Sequence, residues 1–293
     1  MRRRLLKAYA KGTRPGALRR FARWAVDPSI RLEVAKYEVS APRWTGAPLR
    51  IAMASDLHVI EPFVRLDYLK RVVARLNAQG ADIILLPGDF TYGVRLMPHR
   101  PSRDAIAEVL GGLHAPLGVW AVMGNHDWNE DEEAMRDAPP LPRIGEALRR
   151  VGIRVMENEA VWIDRPEGGF WLGGVGDRRV FGDGRLNPGT GDIAETMRQI
   201  GPEGPALLMM HEPDEIETVP ERIALTVCGH THGGQVTFFG WVPGTSSPAG
   251  RRYARGLVAD GDARTLVSSG IGFATIPLRL GVIPEILRIN LSG

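Results

Sequence analysis

From residue 31 onward the hydrophobic positions switch between two periods, and the switching lays out strands and helices in turn. Residues 31–40 set Leu32, Val34, Tyr37 and Val39 among polar neighbours, the period-2 pattern of a half-buried strand. Residues 49–54 predict a second strand, which runs into Ser55-Asp56-Leu57-His58. Over 66–76, Leu69, Val72, Val73 and Leu76 fall on one face of an amphipathic helix. Residues 83–86 form a short, wholly apolar strand that ends at Pro87-Gly88-Asp89. A helix over 102–113 follows, with Ser102 as its N-cap and Ile106, Val109, Leu110 and Leu113 on its inner face. Residues 117–123 then read as a strand that stops at Gly124-Asn125-His126-Asp127.

The second half repeats this in a strand-richer form. A helix is predicted near 142–150, strands at 161–164 and 170–175, and a helix at 192–200. Strands at 206–210 and Ile223–Cys228 come next, and histidine follows both, as His211 and as Gly229-His230-Thr231-His232. Strands at 265–269 and 286–291 close the chain. This order predicts an α/β fold in which two sheets pack together as a sandwich, flanked by helices.

Composition narrows the class. With 293 residues, 44% hydrophobic and 24% charged, the chain can bury a large core and is neither disordered nor collagen-like. The single cysteine, Cys228, excludes an internal disulfide or a multi-thiolate metal site and reads as a small core residue. No apolar run approaches the ~20 residues of a membrane span, and no apolar stretch of signal-peptide length follows the basic start. The expectation is a cytoplasmic protein that meets a membrane, if at all, from the side, on its inner face.

Charge divides the chain into an arm, 1–30, and a body, 31–293. Residues 1–50 carry 13 Lys/Arg against 3 Asp/Glu, whereas 51–293 carry 24 against 31. Residues 2–24 hold nine cations and no anion, with Leu18, Phe21 and Trp24 at helical spacing, although Gly12, Pro15 and Gly16 keep any helix short. Two readings stay open: the arm lies on an anionic membrane, at ~1 kcal/mol per cation near the headgroups, or it is a solvated start whose few apolar residues pack on the body. The acidic body has no long arginine stripe, which argues against nucleic acid as a partner.

Of the seven histidines, five stand just past an apolar strand: His58, His126, His211, His230 and His232. The same strand ends supply Asp56, Asp89 and Asn125. Open α/β sheets place ligand sites at the carboxyl ends of their strands. A mixture of imidazole, carboxylate and amide suits a divalent transition metal such as manganese, iron or zinc, and eight groups exceed the three or four that one zinc needs. Two metals fit the count. Asp89, held in the Gly88 turn, is the natural bridge between ions ~3.5–4 Å apart, which would clamp a phosphate oxygen and yield hydroxide from a shared water near neutral pH. His126 is then the spare imidazole, turned toward substrate as a general acid for the leaving oxygen.

Each fragment alone is ordinary; their order and spacing are not. Asp56-x-His58, Gly88-Asp89, Gly124-Asn125-His126-Asp127, His211 and Gly229-His230-x-His232, spread over about residues 49–240, resemble the calcineurin-like metallophosphoesterase superfamily. The resemblance implies a two-sheet α/β sandwich with a dinuclear site. Asp56, His58, Asp89 and His232 would hold one metal, and Asp89, Asn125, His211 and His230 the other, with His126 as proton donor or transition-state stabiliser. The expected activity is hydrolysis of a phosphoester or diphosphate by in-line attack of a metal-bound hydroxide.

The close of the chain, Ile276-Pro277-Leu278-Arg279 followed by 281–286, is similar to the bacterial branch that includes membrane-associated phosphodiesterases and a UDP-2,3-diacylglucosamine pyrophosphatase. A lipid-linked substrate such as UDP-2,3-diacylglucosamine is expected from that likeness, beside a small soluble phosphate compound. One departure counts against phosphoproteins: Gly88-Asp89 runs into Phe90-Thr91-Tyr92-Gly93, where protein phosphatases carry a further Asp and an Arg-Gly pair. It also leaves His126 without an identifiable orienting partner. Arg178-Arg179 and Arg251-Arg252-Tyr253-Ala254-Arg255 are either phosphate forks or solvated surface, and Trp241, Phe238 and Phe239 either line an apolar groove or pack in strands. The competing reading is a peripheral membrane-binding protein that keeps a metal site for structure.

Overall fold

The computed structural model describes Asp27 and residues 31–92, 100–137, 139–177, 180–182, 185–187, 190–237, 241–245 and 247–293. The basic arm apart from Asp27, Arg178-Arg179, and Phe238 and Phe239 lie outside the described residues. The elements in chain order are β1 (Glu33–Ser40), β2 (Leu49–Met53), α1 (Leu66–Asn77), β3 (Ile83–Pro87), α2 (Arg103–Leu110) and β4 (Val119–Val122). Then come α3 (Asn125–Asn129), α4 (Glu132–Asp137), α5 (Arg143–Arg150), β5 (Arg154–Val155), β6 (Glu159–Ile163), β7 (Phe170–Gly174), β8 (Val180–Gly182) and β9 (Arg185–Asn187). The chain ends with α6 (Ile193–Gln199), β10 (Ala206–Met209), β11 (Ile223–Cys228), β12 (Gly256–Asp260), β13 (Ala263–Val267) and β14 (Glu285–Ser292).

Two six-stranded sheets carry the fold, in the orders β1-β14-β2-β3-β4-β5 and β12-β13-β11-β10-β7-β6. Strands β2 to β5 run parallel in the first sheet, and β7, β10, β11 and β13 run parallel in the second. Parallel strands bring their carboxyl ends to one edge, so each sheet gathers its strand-end loops on a single rim.

Alternation along the strands decides what lies between the sheets. In β2, Ile51 and Met53 face the opposite sheet, against Leu207, Met209 and Leu225, while Ala52 faces the helices with Leu69, Val72 and Leu76 of α1. Both faces are buried over residues 51–53, so that stretch reads as a continuous apolar run, the mark of a covered parallel sheet. Helices α1, α2 and α5 cover the first sheet through Ile106, Leu110, Ile144 and Leu148, and Ile193 of α6 packs with Ala206 and Leu208 on the outside of the second. Each fully buried aliphatic side chain contributes about 1.5–3 kcal/mol. The layering is the helix-flanked sandwich expected from the sequence.

Ser102 caps α2, its hydroxyl accepting from Ala105 N–H at 3.1 Å, and Asp192 caps α6 in the same way. Along β1, Leu32 and Val34 join the helix side and Tyr37 and Val39 the inter-sheet side, so the period-2 pattern serves two faces rather than one. Four described strands are absent from the sequence reading, and they have physical reasons for it: β5 is two residues long, β8 and β9 are three each, and β12 is a mostly exposed edge. Among the described residues no helix is long and apolar enough to cross a membrane.

Glu157, just past β5, gives a pH-dependent contribution to stability. Its carboxyl accepts from the Thr190 hydroxyl, and its Oε2 is buried without a hydrogen-bond partner among the described residues. Burial, with Glu159 nearby, pushes it up to about 7 from an ordinary 4.5. The folded chain therefore keeps a proton that the unfolded chain releases, and stability falls as pH rises from about 4.5 through 7. Glu157→Gln keeps an acceptor for Thr190 and carries no charge. Thermal melts should find it equal to wild type at pH 5 and about 2–4 °C more stable at pH 8; an equal difference at both pH values would refute the assignment.

Candidate metal centre

The rim draws its side chains from turns that directly follow buried strands. Asp56 and His58 follow β2, Asp89 follows β3, Asn125 and His126 follow β4, His211 follows β10, and His230 and His232 follow β11. Five of these hold left-handed backbone: Asp56 (φ 52°), His58 (46°), Asp89 (59°), His230 (68°) and His232 (51°). Such a conformation costs a non-glycine residue of order 1 kcal/mol or more and persists only where the surroundings enforce it. Two glycines make the crowding tolerable. A Cβ on Gly124 would collide with the Asp89 carboxylate, and one on Gly229 would sit 2.5 Å from Asp56 Oδ2.

The side chains form two buried groups, Asp56, His58 and His232, and Asp89, His211 and His230. His58 Nε2 lies 3.0 Å from His232 Nε2, which is 3.6 Å from Asp56 Oδ1. His230 Nδ1 lies 3.3 Å from His211 Nε2 and 3.2 Å from Asn125 Oδ1. Asp89 joins the groups: its Oδ2 is 3.3 Å from His58 Nε2 and 3.2 Å from His211 Nε2. The seven side chains expected to surround metal are thus brought together, with Asp89 between the two sets.

The chemistry of this donor set fits divalent ions. His211 Nδ1 faces Pro87 O at 2.7 Å and His58 Nδ1 faces Thr91 O at 3.3 Å, contacts that require these nitrogens to donate. His230 Nε2 lies 3.7 Å from the Glu212 carboxylate. Rings held so turn a lone pair inward, as metal-binding histidines do. Burial drives His58 down to about 3, against the pull of Asp89. Asp56 is pushed up to about 6, by burial first and by Asp89 as well. For Asp89, burial is outweighed by His211 and His58, which hold it well below the ordinary carboxylate range. His58, which resists protonation, offers its lone pair to a cation, whereas Asp89 outweighs burial at His211 and raises that ring well above the ordinary histidine value.

Several working residues escaped the sequence reading. Asp127, present there only as the last residue of the Gly124-Asn125-His126-Asp127 motif, accepts from Asp89 N–H (2.9 Å), Phe90 N–H (2.9 Å), Thr91 N–H (3.0 Å), Thr91 Oγ1 (3.1 Å) and Gly124 N–H (3.0 Å). It staples the turn after β3 to the turn after β4. His126 donates its backbone N–H to Asp89 Oδ1 at 2.9 Å. Its ring, with the side chain 25% exposed, sets Nδ1 3.7 Å from Glu130 Oε1, an ion-pair distance rather than a hydrogen bond. Glu130, one helical turn on, is in turn held by Arg100 at 2.9 Å. Burial works against the His126 imidazolium, but Asp89 and Glu130 outweigh it and raise the ring above the ordinary histidine value.

The departure after Gly88-Asp89 also has a place. Tyr92 stands 4.8 Å from both the His58 and His126 rings, its hydroxyl accepting from Thr275 N–H at 2.5 Å. Asp177, buried past the end of β7, obeys the strand-end rule and acts on His211 electrostatically. Of the basic residues, Arg252 pairs with Asp260 at 3.0 Å, and Arg251 lies over the ring of Trp241, which is 54% exposed.

Residues 49–234 match the calcineurin-like phosphoesterase family model. The phosphodiesterase YaeI of Escherichia coli (strain K12) is 31% identical over 264 residues, 88% of this chain and 88% of that protein. An uncharacterized metallophosphoesterase of Aquifex aeolicus (strain VF5) is 28% identical over 272 residues, covering 89% and 92%, and YkuE of Bacillus subtilis (strain 168), also an uncharacterized metallophosphoesterase, is 27% identical over 246, covering 83% and 79%. With two buried metal-binding groups set at the ends of parallel strands, the chain belongs to the calcineurin-like phosphoesterase family, the metal-dependent hydrolases of phosphoesters.

Proposed function

We propose that the protein hydrolyses a phosphodiester or diphosphate bond at a two-metal centre, with in-line displacement at phosphorus. The observation that carries this reading is the single Asp89 oxygen within 3.3 Å of a histidine from each group. Asp56, His58, Asp89 and His232 would hold one ion, and Asp89, Asn125, His211 and His230 the other. Bound there, a pair of divalent ions supplies charge stabilisation for phosphoryl oxygens and lowers the pKa of a water.

The chain's own contribution is placement and a proton. Asp89 Oδ1 holds the His126 backbone, and Glu130 faces Nδ1, so Nε2 is left for the substrate side. From there His126 protonates the departing oxygen, a role worth about 10²–10⁴-fold in rate. Manganese, iron or zinc each suits the mixed nitrogen and oxygen donors.

The substrate is a lipid-linked phosphate compound of the UDP-2,3-diacylglucosamine kind, taken at the cytoplasmic face of a membrane. Supporting this, Ile276 (43% exposed) lies in a segment tied to the turn after His232: the Gln235 side chain donates to Ala274 O and Ile276 O at 3.0 and 2.9 Å. Leu280 pairs with Val236 in the same lobe, and Trp241 and Arg251 stand on the neighbouring loop. Exposed apolar groups beside cations suit an amphiphile, and the nine cations of residues 2–24 would meet anionic headgroups.

The test strips the protein of metal, reloads it with Mn²⁺, Zn²⁺ or Fe²⁺, and compares a bis-aryl phosphodiester, a soluble nucleotide diester and UDP-2,3-diacylglucosamine in mixed micelles. Turnover should vanish on stripping, return on reloading and be fastest on the lipid, and His126→Ala should lose about 10²–10⁴-fold in kcat with its metal retained. Turnover that survives stripping would sink the metal reading. Preference for the soluble diester would confine the proposal to small substrates, and liposome binding without any turnover would favour a membrane-binding protein with a structural metal.

A further inference from the structure

Thr275 stands in a backbone conformation that its residue type avoids. Its φ is 59°, left-handed in a β-branched residue, and Ile276 N–H donates back to Ala274 O at 2.6 Å to close a three-residue turn around it. Such a turn persists only where its surroundings hold it, and two side chains do so. The Tyr92 hydroxyl oxygen accepts from Thr275 N–H at 2.5 Å. Gln235 brackets the turn as well: its Oε1 accepts from Ala274 N–H at 2.8 Å, and its Nε2 donates to Ala274 O and Ile276 O at 3.0 and 2.9 Å.

Both clamps grow from the metal-binding rim. Tyr92 is three residues past Asp89, and Gln235 is three past His232. The stretch before Tyr92 is fixed, since Thr91 donates its N–H and its hydroxyl to Asp127 and Val59 N–H donates to Phe90 O at 3.1 Å. Gln235 N–H donates to His232 O at 2.9 Å. Tyr92 is 5% exposed, and its one ring spans the gap from the His126 imidazole, 4.8 Å away between centroids, to the Thr275 backbone. What the turn presents outward is Ile276, 43% exposed. A strained turn that carries an apolar side chain is thus tied to the rim by two side chains, beside His126.

We propose that the Ala274–Ile276 turn is the subsite for an apolar group borne on the departing oxygen, and that Tyr92 is the positioning residue that holds the turn there. The inference rests on the hydrolytic reading of the centre and adds which side of the scissile bond carries the apolar part. In that reaction water adds its hydroxyl to phosphorus and gives up a proton. The bond to the departing oxygen breaks with its electron pair, and the proton of His126 completes the departing hydroxyl. Because His126 meets that oxygen, the group it carries extends past the Tyr92 ring toward Ile276.

The experiment uses the metal-loaded full chain and three phosphonate esters, each below its micelle-forming concentration. Phenyl methylphosphonate is the reference, para-octylphenyl methylphosphonate carries a chain on the departing phenol, and phenyl octylphosphonate carries it on the phosphorus that is retained. The two phenols have nearly equal acidity, so leaving-group chemistry does not separate them. Wild type should favour the para-octylphenyl ester over the reference by about 10-fold in kcat/KM, chiefly through KM, and should give phenyl octylphosphonate no such advantage. Tyr92→Phe, which keeps the ring and removes the tether, and Ile276→Ser should each bring that ratio close to unity. Hydrogen exchange read by mass spectrometry should show the peptide that holds Thr275 and Ile276 exchanging faster in Tyr92→Phe than in wild type. An equal loss on both methylphosphonate esters, which a merely structural role would produce, would overturn the proposal. So would unchanged exchange, a wild type without the preference or with one for phenyl octylphosphonate, or a fall in bound metal in Tyr92→Phe. A metal-loaded wild type that hydrolyses none of the esters would overturn the hydrolytic reading itself, and the Tyr92 assignment with it.

Discussion

Asp89→Asn should abolish turnover while leaving a folded protein. The wild-type Oδ2 faces His58 Nε2 at 3.3 Å and His211 Nε2 at 3.2 Å, and Oδ1 accepts from the His126 backbone at 2.9 Å. Asparagine can keep the second contact with its amide oxygen, so the His126 backbone stays held. Its amide nitrogen must then occupy the place between the two histidines, presenting protons where both groups need a shared negative oxygen. The expected loss is at least 10³-fold in kcat/KM, equivalent to about 4 kcal/mol of transition-state stabilisation. Metal analysis should fall from two ions per chain to one or fewer, and the far-ultraviolet circular dichroism should match wild type. A variant that keeps two ions and a tenth of the activity would show that the carboxylate is not a bridge.

The site was readable because its side chains end buried strands. Strands β3, β10 and β11 are covered on both faces, so β3 and β10 are unbroken apolar runs and β11 is interrupted only by the buried Thr226, and the polar residue that ends each run stands out. That rule marked the seven residues now gathered at Asp89, and it also applies to Asp177, which the sequence reading did not single out. Glu130 was hidden for another reason. Its partnership with His126 depends on α3, five residues with no apolar period of their own. The tie from Tyr92 to Thr275 was hidden by distance, since it spans 183 positions and lies between two irregular loops. In the fold, α1, α2 and α5 declared themselves by a buried stripe, whereas β5 and β12 are too short or too exposed to carry one.

Asp127→Ala should both destabilise the protein and disable it, without touching a residue that faces metal. Four backbone N–H groups and the Thr91 hydroxyl converge on this carboxylate at 2.9 to 3.1 Å. Asp127 is fully buried, so the alanine variant leaves these donors without an acceptor and without water to replace it. Hydrogen bonds to a charged group contribute about 1.5–3 kcal/mol, and they are not additive when they share one acceptor; a total loss of about 3–5 kcal/mol follows. One of the stranded donors is the Asp89 backbone itself, so the turn that aims Asp89 loosens, and a displacement near 1 Å at that carboxylate is enough for about 10²-fold in rate. Asp127→Asn separates the two effects. One oxygen survives to take the Phe90 and Thr91 donors, while the amide nitrogen faces Asp89 N–H and Gly124 N–H and repels them. Denaturant titration should therefore place Asn between wild type and Ala in stability, yet with most of the kinetic defect of Ala, because the contact to Asp89 is the one lost. An alanine variant that unfolds at the wild-type denaturant midpoint would mean that water reaches this corner of the rim and that the turn after β3 holds its own shape.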